Sequence, residues 1–181
     1  RAPLPIPVNV TGIPYQENTL HGGKLRVFHG LNREGFKGTH YVREAFDHLQ
    51  RHYPHEVECS IEGGMPLPAY LEHLGKMNVV IDQTSSYSCG VNALFALALG
   101  KVVLGGAEPE NHLLYGDAPM PVLNITPDAG SIVRQVEAVL AQRADLAQLG
   151  AASREFVATH HDHVRVAERY LAAWAQPKKA V

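Results

Sequence analysis

The amino-acid sequence predicts an α/β fold: a three-layer, Rossmann-like domain with a mainly parallel sheet and closing C-terminal helices. Apolar runs and segments of helical period alternate about five times along the chain. The central runs, VVID, VVLG and VLNI, are apolar apart from one Asp and one Asn, as in strands covered on both faces. A helical segment follows most of the runs, which favours parallel pairing through crossovers over hairpins, and such crossovers are right-handed.

Arg1–Asn9 carries three prolines in nine positions and reads as an extended linker. Tyr15–Gly23 is polar with a His-Gly-Gly turn and reads as an irregular arm or short hairpin. Leu25–His29 is a short apolar run, hence a strand. Thr39–Arg51 places Val42, Ala45, Phe46 and Leu49 at helical spacing. Glu56–Glu62 alternates like a strand, Pro68–Met77 reads as a short helix, and Val79–Asp82 as a buried strand. A Ser/Cys/Gly loop leads into a helix over Gly90–Leu99, and strands follow at Val102–Gly105 and Val122–Ile125. Three helices close the chain, carrying Ile132, Val136 and Val139, then Leu149, Phe156 and Val157, then Val164, Leu171 and Trp174. The resulting division is linker and arm over 1–23, one Rossmann-like domain over 24–176 and a tail over 177–181.

Composition excludes several classes. A chain of 181 residues, 45% hydrophobic, suits one domain with its own core. The charged fraction of 19% is below the usual level of about 25% and does not describe a disordered chain. A net charge of -2 does not suit nonspecific nucleic-acid binding, which needs a clustered basic face. No apolar run reaches the roughly 18–20 residues of a membrane span. Two cysteines, Cys59 and Cys89, form no disulfide framework and fit a reducing compartment.

In open parallel sheets, ligands sit beyond the carboxyl ends of the strands, so the loops at those ends carry the chemistry. The first, H-G-L-N-R-E-G-F-K-G-T over His29–Thr39, opens a helix and holds Arg33 and Lys37 four residues apart. That pair can clamp a diphosphate or stand as two surface cations on a solvated turn. The third, D-Q-T-S-S-Y-S-C-G-V-N over Asp82–Asn92, brings small residues and Gly90 to a helix start where a ligand can approach backbone; its plainer reading is a connection capped by Ser86 or Ser88. No G-x-G-x-x-G and no G-x-x-x-x-G-K-[ST] occurs, which argues against nicotinamide and P-loop chemistry. His160–His163 (HHDH) reads as a helix entry capped by Asp162 rather than a metal site. Cys59 reads as a small core residue, and Glu108 and Glu110 as a solvated loop rather than catalytic carboxylates.

Three of these stretches together resemble the C-terminal, donor-binding domain of GT-B glycosyltransferases of the group 1 type. H-G-L-N-R-E-G-F-K-G-T is similar to that domain's first strand–loop–helix. Ile81–Leu104 (IDQTSSYSCGVNALFALALGKVVL) is similar to its signature, and Leu149–Tyr170 to the closing helices of bacterial members. The resemblance covers about Leu25 to Trp174. It implies a cytoplasmic hexosyltransferase-like enzyme, in the cytosol or at the cytoplasmic face of a membrane. Its donor half would bind a nucleotide-sugar without a cofactor or metal, and would be inactive without an acceptor-binding N-terminal domain ahead of the linker. The substrate-binding positions it implies are Gly30, Arg33, Lys37, Gly38 and Glu62 in the first loops. In the third they are Cys89, Gly90, Val91, Asn92 and Phe95. No catalytic residue is assigned. The family's two glutamates fall at Tyr87 and Phe95 here, and Phe95 cannot accept ribose hydrogen bonds. Two further readings follow from that loss and from the architecture: a degenerate module that binds a nucleotide or a protein without catalysis, and another nucleotide-sugar enzyme such as an epimerase.

Overall fold

The computed structural model describes residues 3–20, 22–31 and 37–175. Among them a five-stranded sheet runs in the order β2-β1-β3-β4-β5, with every pair parallel. The strands are β1 (Leu25–Gly30), β2 (Val57–Glu62), β3 (Val79–Ile81), β4 (Val102–Gly105) and β5 (Val122–Asn124). The helices are α1 (Thr39–His52), α2 (Leu67–Gly75), α3 (Val91–Ala98), α4 (His112–Tyr115), α5 (Ala129–Ala141), α6 (Leu146–His160) and α7 (His163–Ala175). Each strand sits within about one residue of its expected bounds.

Two apolar layers cover the sheet. On one face α1 and α5 bring Val42, Phe46, Leu49, Ile132 and Val136 onto Val27, Ile81 and Leu104. On the other, α2, α3 and α6 bring Leu74, Leu94, Leu97 and Phe156 onto Phe28, Val80 and Val103. The strands alternate their side chains between these two layers, so apolar residues are needed on both faces and the runs appear unbroken in sequence.

Among the described residues the N-terminal arm forms no strand or hairpin but is packed: Val8, Val10 and Ile13 are buried in the second layer. Val8 exchanges backbone bonds with the α6–α7 junction, donating to His161 O at 2.7 Å and accepting from His163 N at 3.0 Å. The Arg154 guanidinium donates to the carbonyls of Val10, Ile13 and Ala98, tying arm and α3 together. His161 is buried with Nδ1 on Ile6 O and Nε2 on the Tyr115 hydroxyl, so its ring is engaged in structure. Asp162 accepts from Val164 N and Arg165 N and caps α7 as expected.

Two expectations are corrected. The 106–112 stretch, expected to be an open loop, folds into a 3-10 turn at Pro109–Asn111 that runs into α4. It is held by Asn111 Nδ2, which donates to Tyr87 O and Glu108 O. On α7 the spacing of Val164, Leu171 and Trp174 points to a buried face, yet these three are exposed and Val166 is the buried residue. Among the described residues no helix is long and apolar enough to cross a membrane.

Candidate functional site

Chain direction across the sheet reverses between β1 and β3: the crossover after β1 leads to β2 on one side, and the next returns to β3 on the other. The loops leaving these two strands flank the switch point at the carboxyl edge, the crevice position where ligands bind in sheets of this order. Lys37 comes from the loop after β1; Asp82, Thr84 and Gly90 come from the loop after β3.

The two loops are joined. Thr84 N donates to Lys37 O at 3.2 Å, and Lys37 Nζ reaches Asp82 Oδ1 at 3.4 Å with both side chains buried. The other oxygen, Asp82 Oδ2, accepts from Gly90 N at 2.7 Å. One carboxylate thus links the cation of the first loop to the entry of α3. Gly38 is part of the same joint. It lies at φ 68°, left-handed backbone that favours glycine, and a Cβ there would collide with the Thr84 hydroxyl. Lysine has three N–H donors and Asp82 takes one direction of them, so Lys37 remains able to meet a second anion.

Below the crevice floor lies His29, fully buried on β1. Its Nδ1 donates to Ile81 O at 2.9 Å, because a carbonyl can only accept, and its Nε2 then accepts from the Thr39 hydroxyl at 3.0 Å. Burial pushes its pKa down to about 4; the Ile81 carbonyl opposes that shift and the Lys37 charge adds to it. The ring is therefore neutral and connects β1, β3 and the first turn of α1.

The other expected positions distribute as follows. Gly30 ends β1 at the crevice, paired across the sheet with Glu62, whose side chain is exposed one strand away. Val91 is exposed and Asn92 half-buried in the first turn of α3. Cys89 belongs to the core layer, with its thiol pushed up to about 12 by burial and then by the Asp82 charge, so it offers the crevice backbone only. Phe95 is half-buried and packs against the same layer. Arg33 lies outside the described residues.

Three residues were not singled out from sequence, Asp82 as the linking carboxylate, His29 and Tyr70, and a fourth, Glu108, was read as part of a solvated loop. Tyr70 on α2 is buried with its hydroxyl against Gly30 and has no hydrogen-bond partner among the described residues. Burial, then the Asp82 charge, raises its pKa. Glu108, expected on a solvated loop, is half-buried and accepts from Asn124 Nδ2 at 2.9 Å, whereas Glu110 is exposed. A carboxylate forty-five residues along the chain from its lysine leaves no local pattern; only the strand order brings the two together.

A small cavity of about 260 Å³, lined by hydroxyls and Glu108 together with Ile125 and Pro127, lies over the carboxyl ends of β3 to β5. A larger apolar groove of about 660 Å³ lies between α5 and α6 and is lined by residues such as Met120, Leu123 and Phe156. The larger is remote from Lys37 and Asp82, so size alone does not mark the site; the convergent polar groups do.

Solved structures share this fold. Sucrose-phosphate synthase from Thermosynechococcus elongatus matches with a TM-score of 0.68 at 18% identity, covering 94% of this chain and 51% of that one. HepE from Anabaena, in complex with UDP and glucose, matches with a TM-score of 0.62 at 12% identity, over 84% and 48%. A variant of S. aureus TarM, in a complex that includes UDP, matches with a TM-score of 0.64 at 12% identity, over 90% and 36%. These neighbours are GT-B glycosyltransferases, and the chain has the fold of a single GT-B domain. It spans about half of these chains or less. No family model matches the chain, and no curated protein matches it by sequence.

Proposed function

We propose that the protein is the donor-binding half of a glycosyltransferase and holds the diphosphate of a nucleotide-sugar in the crevice between β1 and β3. The observation that carries this reading is the joint between the two loops: Lys37 and the Gly90 start of α3 meet at one carboxylate, at the switch point of the sheet. In this reading Lys37 and Arg33 neutralise the diphosphate, and the first turn of α3 adds its dipole. Leaving-group charge is met by these fixed groups and needs no metal. Transfer itself requires an acceptor held against the donor, which a second domain would supply; the half alone would bind without transferring. Nucleotide-sugar chemistry and two free cysteines both fit the cytoplasm.

Titration calorimetry with UDP and GDP tests the reading. The protein should bind one of them saturably, and Lys37→Ala and Arg33→Ala should each weaken that affinity by about tenfold, the cost of one charged contact. Unchanged affinity in both variants would remove these residues from the site. Phe95 packed on the core, in the place of the ribose-binding glutamate that the resemblance implies, favours the second reading: a degenerate module that binds a nucleotide or a protein partner without catalysis. A protein that binds neither nucleotide would leave that reading its protein partner only.

A further inference from the structure

Helix α7 is covered on one side only. Val166 is buried and Tyr170 half-buried, while Val164, Leu171 and Trp174 are exposed, Trp174 by 75%. At the helical period Val164, Ala167, Leu171, Trp174 and Ala175 fall on one stripe beside the Val166–Tyr170 face. The helix is therefore apolar over a wider arc than its own body covers. Its polar side carries Arg165, Glu168 and Arg169, all exposed. An apolar stripe rimmed by charged residues marks an interaction surface.

The same chain carries an unfilled groove of matching character. In the 660 Å³ groove between α5 and α6, Met120, Leu123 and Leu149 are only half-buried, and Ala152 and Glu155 form an exposed wall on α6. The volume lies within the roughly 300–1,000 Å³ in which proteins seat a bound group. The lining holds one carboxylate, Glu155, and no lysine or arginine, so it complements a segment that brings an arginine, as the first turn of α7 does with Arg165. No residue of α7 lines the groove of its own chain. His163 N on Val8 O and the Asp162 cap fix the corner from which α7 departs. The groove's α6 wall ends at His160 and α7 begins at His163, so groove and helix meet at that corner. A two-fold axis there sends α7 of each copy along the groove of the other. The contact closes on itself, and two helices in two grooves double the apolar area that one would bury.

We propose that this chain forms a two-fold dimer in which α7 of each copy lies in the α5–α6 groove of the other. Leu171 and Trp174 seat against Met120, Leu123 and Leu149 of the second copy, and Arg165 faces its Glu155, an amphipathic helix laid in an apolar groove. The groove is remote from Lys37 and Asp82, so the dimer and the donor reading stand or fall separately. Trp174 is the only tryptophan in the sequence, so its emission reports the contact directly. Sedimentation velocity and tryptophan emission, read over one concentration series, should show monomer passing to dimer and the emission moving to shorter wavelength in step. Ala152→Arg places a cation in the groove at an exposed helix position. It should raise the dimer Kd by about tenfold or more while leaving the thermal unfolding of the monomer unchanged. Glu155→Arg and Arg165→Glu should each weaken association severalfold, and the double reversal should recover it. A protein that stays monomeric, with Trp174 emitting as in water at every concentration, would overturn the proposal. So would a dimer indifferent to Ala152→Arg, or a double reversal that recovers nothing. A monomer whose emission shifts only with phosphatidylglycerol vesicles would give the stripe to a lipid surface and overturn it as well.

Discussion

Replacing Asp82 by alanine is expected to cost the fold about 3–5 kcal/mol, the range for breaking a buried ion pair from one side. The carboxylate is 2% exposed and does two things at once. It holds the Lys37 ammonium at 3.4 Å and accepts the Gly90 N–H at 2.7 Å. Alanine leaves a buried cation and a buried backbone donor without partners. Asp82→Asn keeps an acceptor for Gly90 and loses only the charge, so it should cost less. Adding Lys37→Met to Asp82→Ala removes the orphaned cation and should restore part of the loss, a coupling that a double-mutant cycle reads directly. Chemical denaturation of the four proteins measures it. Strict additivity of the two substitutions would mean that Lys37 and Asp82 do not depend on each other.

Acidification should remove roughly 3 kcal/mol of stability through His29 alone. Its folded pKa is about 4, below the ordinary 6.5, because burial disfavours the charged ring. Between those values the unfolded chain binds a proton that the folded chain refuses. The contribution is complete above pH 6.5 and is lost as the pH falls to 4. His161, lowered chiefly by its burial, and His160, lowered by partial burial, act in the same direction. His29→Asn retains a side-chain donor for Ile81 O and cannot titrate near neutrality, so it should flatten the slope while lowering the plateau. Unfolding free energies at a series of pH values between 4 and 7 separate the two effects. A variant with the slope of the wild type would assign the acid sensitivity elsewhere.

The sheet was legible because its chemistry is local. Val79–Ile81 and Val102–Gly105 are buried on both faces and so are apolar without interruption. Helix α1 was legible for the same reason, with Val42, Ala45, Phe46 and Leu49 on one side. The arm was less so: prolines and polar residues surround Val8, Val10 and Ile13, and what buries them is the distant α6–α7 junction. Helix α4 escaped notice because four residues after a proline turn are too few for a period to appear. In the site, Lys37, Gly38 and Gly90 stood out as a cation and two backbone-permissive positions next to strand ends. Asp82 and Tyr70 did not, and Glu108 was read as solvated, since each matters through a partner that only the fold supplies: Lys37, Gly30 and Asn124 in turn.

The central claim is that a nucleoside diphosphate sits at the carboxyl edge between β1 and β3. The most direct measurement is the change in backbone amide NMR shifts on titration with UDP and, separately, GDP. The account predicts a saturable response centred on Gly30, Gly38, Thr84 and Gly90 to Asn92, with the two strands' loops moving together. Shifts confined to the apolar groove around Met120, Leu123 and Phe156, or no saturable response to either nucleotide, would contradict it.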